Sequence, residues 1–244
     1  MTMQFLTSFI TLFPEAFPGP LGVSILERAR KEEIWAWETV DLRPFGVGRH
    51  RNVDDTPAGG GAGMVLRPDV AAAAIDSLDR GGRPLIYLSP RGRPFTQAMA
   101  RDLATGPGLV LFCGRFEGLD ERAIEGRGMI EVSMGDFVLA GGEVAAIALT
   151  EAVVRLLPGV AGNEASLGEE SFETGLLEHP QYTMPREWEG RGTPEVLLSG
   201  DHKRIEEWRL NSAKALTKQR RPDLYAAYSE TPEFKAPETG DEHD

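Results

Sequence analysis

Apolar positions along this chain recur in two rhythms. Residues 4–12 form a nearly continuous apolar run, the mark of a strand buried on both faces, and 22–31 space their apolar side chains as a helix does. Residues 34–41 alternate apolar with polar and predict a second strand. After a polar, Gly-rich loop over 43–63, helices are predicted at 69–78, 95–104 and 120–125, and short buried strands at 85–88, 109–113 and 129–132. An Ala-rich helix over 144–157 closes this part. Strands separated by helices predict an α/β domain with a parallel sheet covered on both faces.

The pattern then changes. Residues 158–175 are polar and Gly-rich without periodicity, so they read as a flexible linker between an α/β domain at 1–157 and a helical domain at 176–228. In the latter, Asp201 is placed to cap a helix running to about Leu216, and RRPDL restarts a second helix with Pro222 in its first turn. The tail at 229–244 carries six carboxylates against Lys235 alone and is expected to be disordered.

Three Gly-bearing loops follow predicted strand ends: SPRG after 85–88, GRFEG after 109–113, and SMGDFVLAGGE at 133–143. Ligands of open α/β sheets bind beyond the carboxyl ends of their strands. The third loop turns twice within eleven residues, and its glycines let a ligand approach bare backbone. This reads as a small-molecule cradle made of main chain, although any one loop alone reads as a plain turn.

Composition narrows the function. At 244 residues, with 41% hydrophobic and 26% charged side chains, the chain is of ordinary globular make-up. No apolar run reaches the ~18 residues of a membrane span, and no basic residue precedes Arg28, so neither a span nor a secretory signal is expected. A single cysteine, Cys113, fits a reducing cytoplasm and packs at a strand end; four scattered histidines predict no dedicated zinc site. The net charge of −12 speaks against a nucleic-acid partner only as a sum. Residues 201–221 carry Lys203, Arg204, Arg209, Lys214, Lys218, Arg220 and Arg221, and Arg49, His50 and Arg51 form an acid-free patch. No phosphate loop GxxxxGK[ST], Rossmann GxGxxG, HExxH or GxSxG elbow is present.

LSPRG at 88–92, CGRFEGLDER at 113–122, SMGDFVLAGGE at 133–143, LLPGVAGNEAS at 156–166, ESFETGLLEHPQYT at 170–183 and PEVLLSGDHKRIEEWR at 194–209 occur in order. With DDTPAGGGAGM at 54–64 and RRPDL at 220–224, they closely resemble the bacterial tRNA (guanine-N1-)-methyltransferases of the TrmD type, over nearly the whole chain to about Tyr228. The resemblance implies a trefoil-knotted α/β methyltransferase domain of the SPOUT class, followed by a small all-helical C-terminal domain; such knots are rare. It implies S-adenosylmethionine as methyl donor, Mg2+ in turnover, tRNA as substrate with methylation at N1 of guanine 37, and a homodimer with its active site at the subunit interface.

Residue by residue, the match assigns the catalytic base to Glu170 and a cation for the guanine O6 to Arg155. It assigns donor binding to Gly114, Met134, Gly135, Asp136, Phe137, Val138 and Leu139, with Leu88, Ser89, Pro90, Gly141 and Gly142 as further walls. Glu117 either orients the donor or recruits Mg2+; on residues alone it caps the helix near Leu119. Asp54 falls in the guanine-recognition loop, while Arg49, Arg51, Lys203 and Arg209, with His50, Arg204, Lys218, Arg220 and Arg221, are backbone contacts or plain solvated charges. Trp208 reads as core. The chain departs from the family at Glu170 (usually Asp), Phe116 and Phe137 (usually Tyr), Met134 (Ile), Ala140 (Ser), Ala58 (aromatic) and Met184 (Arg). Without the match, Glu169 and Glu170 read as solvated loop charges. Another knotted RNA methyltransferase, acting on rRNA or a 2′-hydroxyl, and a non-catalytic RNA-binding homologue are the competing readings.

Overall fold

The computed structural model describes residues 4–162 and 170–232. They fall into two compact units, Met1–Gly162 and Asn163–Asp244, divided inside the stretch read as a linker. The first is built on β1 (Phe5–Thr11), α1 (Ser24–Lys31), β2 (Trp35–Asp41), β3 (Asp54–Asp55), β4 (Val65–Leu66), α2 (Pro68–Asp76), β5 (Leu85–Pro94), α3 (Gln97–Ala104), β6 (Gly108–Cys113), α4 (Glu121–Arg127), β7 (Ile130–Ser133) and α5 (Glu143–Val154).

Five of these strands make one parallel sheet in the order β2-β1-β6-β5-β7. The central strand β6, GLVLFC, is buried at every position, because its side chains alternate between two apolar layers. Leu109, Leu111 and Cys113 face a core shared with Leu26 and Ala29 of α1, Ala100 of α3 and Leu149 and Val153 of α5. Val110 and Phe112 face the other layer, against Val70, Ala74 and Ile75 of α2 and Ile124 of α4. Both faces of the sheet are therefore covered by helices.

Three departures from the sequence pattern bear on the site. β5 does not stop at Leu88. Leu88 and Arg93 both pair with Val132 of β7, so 89–92 leave the sheet as a bulge and the chain rejoins the same partner at Arg93 and Pro94. The stretch read as a loop at 43–63 contains a 3-10 turn at Arg43–Phe45 and the strand β3, which pairs antiparallel with β4; both strands are two residues long, too short to leave a period. The first unit also extends past 157: Val160 is fully buried and its carbonyl accepts from Arg28 Nη2 at 2.7 Å.

In the second unit, α6 (His202–Arg220) begins at Asp201, whose carboxylate accepts the Arg204 amide at 3.2 Å, and runs four residues past Leu216. It is followed by α7 (Pro222–Ser229). Leu176, Ala213 and Tyr228 form its apolar centre. There Thr217 Oγ1 donates to Ala213 O and accepts from Leu177 N–H, at 2.7 and 2.9 Å. This unit is not all-helical: β8 (Glu187–Trp188) and β9 (Arg191–Gly192) form an antiparallel hairpin. Most of the expected acidic tail, 233–244, lies outside the described residues, as do 163–169 of the linker.

Candidate active site

The three Gly-bearing loops meet in the first unit. Leu88 ends the regular part of β5 and the chain turns through Ser89, whose Oγ accepts the Arg91 amide at 3.2 Å. β6 ends at Cys113 and passes into Gly114. β7 ends at Ser133, whose hydroxyl accepts from Gly135 N–H at 3.2 Å and donates to Gly135 O at 3.1 Å. Gly135 has φ +144°, a conformation closed to residues with a Cβ, and Phe137 N–H bonds back to its carbonyl at 2.9 Å. The second turn of the same loop is bolted to the β6 loop, where Gly142 N–H donates to Gly114 O at 2.9 Å. A Cβ on Gly142 would stand 2.8 Å from Cys113 Cα and 2.9 Å from Gly114 N, so only glycine permits this contact.

Between the loops lies a cavity of about 370 Å³, within the ~300–1,000 Å³ common for small-molecule sites. Leu88, Ser89 and Pro90 line one side and Gly114 and Glu117 another. Met134, Gly135, Phe137, Val138, Leu139, Gly141 and Gly142 line the third. Asp136, expected among them, is exposed and does not line the cavity; its neighbours do. Phe137 and Val138 are 54% and 84% exposed, so this wall stands open to solvent.

Glu117 does not cap the following helix. Asp120 does, its carboxylate accepting the Arg122 amide at 3.0 Å, while Glu117 N–H donates to Met64 O at 2.9 Å. Glu117 lines the cavity, with its carboxylate packed against Gly63.

Sequence reasoning missed Tyr87, Arg91 and Arg115, all of which line the cavity. Tyr87 ends in a hydroxyl that accepts the Leu119 amide at 3.2 Å, and burial pushes its pKa up. A lone Tyr in the otherwise aliphatic LIYL was the available signal. Arg91 reaches Glu121 at 2.9 Å and Glu131 at 3.1 Å. Arg115 lies 2.8 Å from Glu143, an acid at the start of α5 that is 97% buried in an apolar helix. Cys113 is buried, and its thiol is pushed well up by that burial and then by the Glu143 charge.

The remaining candidates are spread over both units. Arg155 is half-buried at the C-terminal end of α5 and does not line the cavity. Glu170 is half-buried near the start of the second unit, its carbonyl accepting from Glu173 N–H at 3.3 Å; Glu169 lies outside the described residues. Arg49, His50 and Arg51 are exposed in a turn closed by Arg51 N–H to Gly48 O, and Asp54 is half-buried opposite Leu66. On α6, Lys203, Arg204, Lys218 and Arg220 are exposed and Arg209 is half-buried. Lys218 sits 5.7 Å from the Tyr225 ring centre, and Arg221 pairs with Asp223 at 2.6 Å. Trp208 is half-buried between the edges of His179 and Tyr182, with ring centres at 6.3 and 6.0 Å.

A parallel sheet with a cavity at its carboxyl edge, lined by three Gly-bearing loops, is the arrangement in which open α/β proteins hold small ligands. The family described as tRNA (Guanine-1)-methyltransferase TrmD matches residues 3–227. The tRNA (guanine-N(1)-)-methyltransferase of Chelativorans sp. (strain BNC1) is 60% identical over 228 residues, covering 93% of this chain and 97% of that one. The protein of the same description from Brucella ovis (strain ATCC 25840 / 63/290 / NCTC 10512) is 58% identical over 225 residues, 92% and 93% of the two chains. This chain belongs to the TrmD family of tRNA (guanine-1)-methyltransferases.

Proposed function

We propose that this protein moves a methyl group from S-adenosylmethionine to N1 of guanine 37 in tRNA. The observation that carries the reading is the main-chain cavity at the ends of β5, β6 and β7, in a chain whose relatives are named for this reaction. Its volume suits a nucleoside-sized ligand. Its glycines at 114, 135, 141 and 142 carry no side chain, which suits close approach of a flat ring such as adenine to the main chain. The donor, when bound, supplies an electrophilic methyl on a sulfonium. The trefoil knot around this cavity, and a homodimer completing the site, belong to the same proposal.

The chain's own residues divide the remaining work. Guanine N1 must lose its proton, and a positioned carboxylate contributes about 10²–10⁴-fold to such a step. Glu170 is assigned that role, with one methylene more than the Asp common in the family. Negative charge then grows on O6, and Arg155 is assigned to neutralise it. The basic turn at 49–51 and the exposed cations of α6 suit phosphate contacts, and Asp54 suits the edge of a base.

Magnesium fits less well as a resident ion. Among the described residues no group of three or more His, Cys, Asp or Glu could hold one, so an ion would keep much of its water and take oxygens from RNA. Among the described residues no helix is long and apolar enough to cross a membrane. A single buried thiol suits a reducing cytoplasm.

Labelled methyl donor and tRNA transcripts test the reading directly. Transcripts with guanine at position 37 after another guanine should take up label. Equal labelling after replacement of guanine 37 would reject the substrate.

A further inference from the structure

Behind the cavity lies a buried polar chain that none of the assigned roles uses. Glu143 opens α5 and is only 3% exposed, so its carboxylate must be compensated by what surrounds it. Its Oε1 accepts from Thr11 Oγ1 at 2.7 Å, and Thr11, wholly buried at the end of β1, accepts in turn from Phe13 N–H at 2.9 Å. Its Oε2 lies 2.8 Å from Arg115 Nη2, a charge contact without good hydrogen-bond alignment.

Arg115 is held from three sides. Besides Glu143, its guanidinium lies 4.3 Å from the centre of the Phe13 ring, and its Nη1 donates to Ala140 O at 3.2 Å. It also lies flat on the second turn of the 133–143 loop, where a Cβ on Gly141 would collide with it. Ala140 and Gly141 are cavity lining. The contacts thus run unbroken from the end of β1, through Thr11, Glu143 and Arg115, to the wall of the pocket.

We propose that Glu143 is a positioning residue for donor binding. It fixes the Arg115 side chain, and Arg115 pins the turn at 140–142 in the conformation that receives the donor. The inference rests on the donor reading given above. An ion pair built only for stability would show its effect in melting temperature. A positioning pair shows it in donor affinity, because the turn lining the cavity loses its anchor while its sequence is untouched. Removing one partner of a buried pair lowers stability in either case, because the other charge is left uncompensated, so donor affinity is the readout that separates the two.

The test uses the full chain with Glu143→Gln, which removes the charge and keeps the shape. Calorimetry with S-adenosylhomocysteine should show roughly ten-fold weaker binding, the size of one lost charge-assisted contact. The donor KM should rise in parallel, while kcat at saturating donor stays within about two-fold of wild type. Glu143→Asp, which keeps the charge, should recover part of the affinity. If Glu143→Gln fails to fold, Thr11→Val decides: it removes the hydroxyl from Oε1 and should weaken binding about three-fold. Wild-type affinity in the folded Glu143→Gln variant, or in Thr11→Val where that decides, overturns the proposal. So does a loss confined to kcat. A wild-type protein that binds neither the donor nor its demethylated product overturns the donor reading itself, which separates the two failures.

Discussion

Gly142 donates its amide to the carbonyl of Gly114 at 2.9 Å, joining the loop after β6 to the loop after β7. The two backbones come this close because neither carries a side chain at the junction. Gly142→Ala would force them apart, and overpacking of this kind typically costs about 1–3 kcal/mol. Melting of the first unit should fall by several degrees, and calorimetry should find donor binding weakened or lost. An alanine variant with wild-type melting and affinity would show that the junction yields.

Glu170 tests the chemistry rather than the pocket. Glu170→Ala should lower single-turnover methylation of tRNA by about 10²–10⁴-fold while leaving donor affinity near wild type. Glu170→Asp should stay active, since the carboxylate is kept. Full activity in the alanine variant would remove this residue from the mechanism.

Cys113 gives a prediction in pH. Burial raises its pKa in the folded state, so the fold favours the neutral thiol. Its contribution to stability is complete below the pKa of an unfolded cysteine, about 8.5, and declines as pH rises beyond it, because only the unfolded chain then releases the proton. Chemical denaturation from pH 7 to 10 should show this decline for wild type and less of it for Cys113→Ala. A thiol reagent should modify Cys113 only at the rate of unfolding; fast labelling of the native protein would contradict its burial.

Assembly is open to direct measurement. Sedimentation should report twice the 26.7 kDa of one chain, and mixing Glu170→Ala with a donor-site variant such as Gly142→Ala should restore some activity if the site is shared. An active species of one chain's mass would refute a shared site.

The elements with a strong period were legible from the residues. The continuous apolar runs of β1 and β6 could only be strands covered on both sides, and Asp201 and Pro222 marked the helix starts. The three strand-end loops were found for the same reason: glycines cluster where backbone must come close. What escaped was pairing and partnership. A two-residue strand such as β3 or β8 has no period, and the return of β5 at Arg93 depends on Val132, forty residues away in the sequence or nearly so. Glu143 drew no reading of its own at the end of the 133–143 motif, because its burial is decided by Thr11 and Arg115, which no local pattern connects to it. The family match placed Asp136 in the pocket with the rest of 134–139, yet after the turn at Gly135 it is exposed and off the lining.

The double pairing of Val132 also decides which wall of the pocket can yield. The wall at 89–92 is hinged nowhere: Leu88 on one side and Arg93 on the other are sewn into the same edge strand, and swinging it outward would unzip β5 from β7. The facing wall at 137–139 has no strand partner and is largely exposed. Displacing that segment breaks no strand pairing, so of the two walls it is the one that can give at the smaller cost.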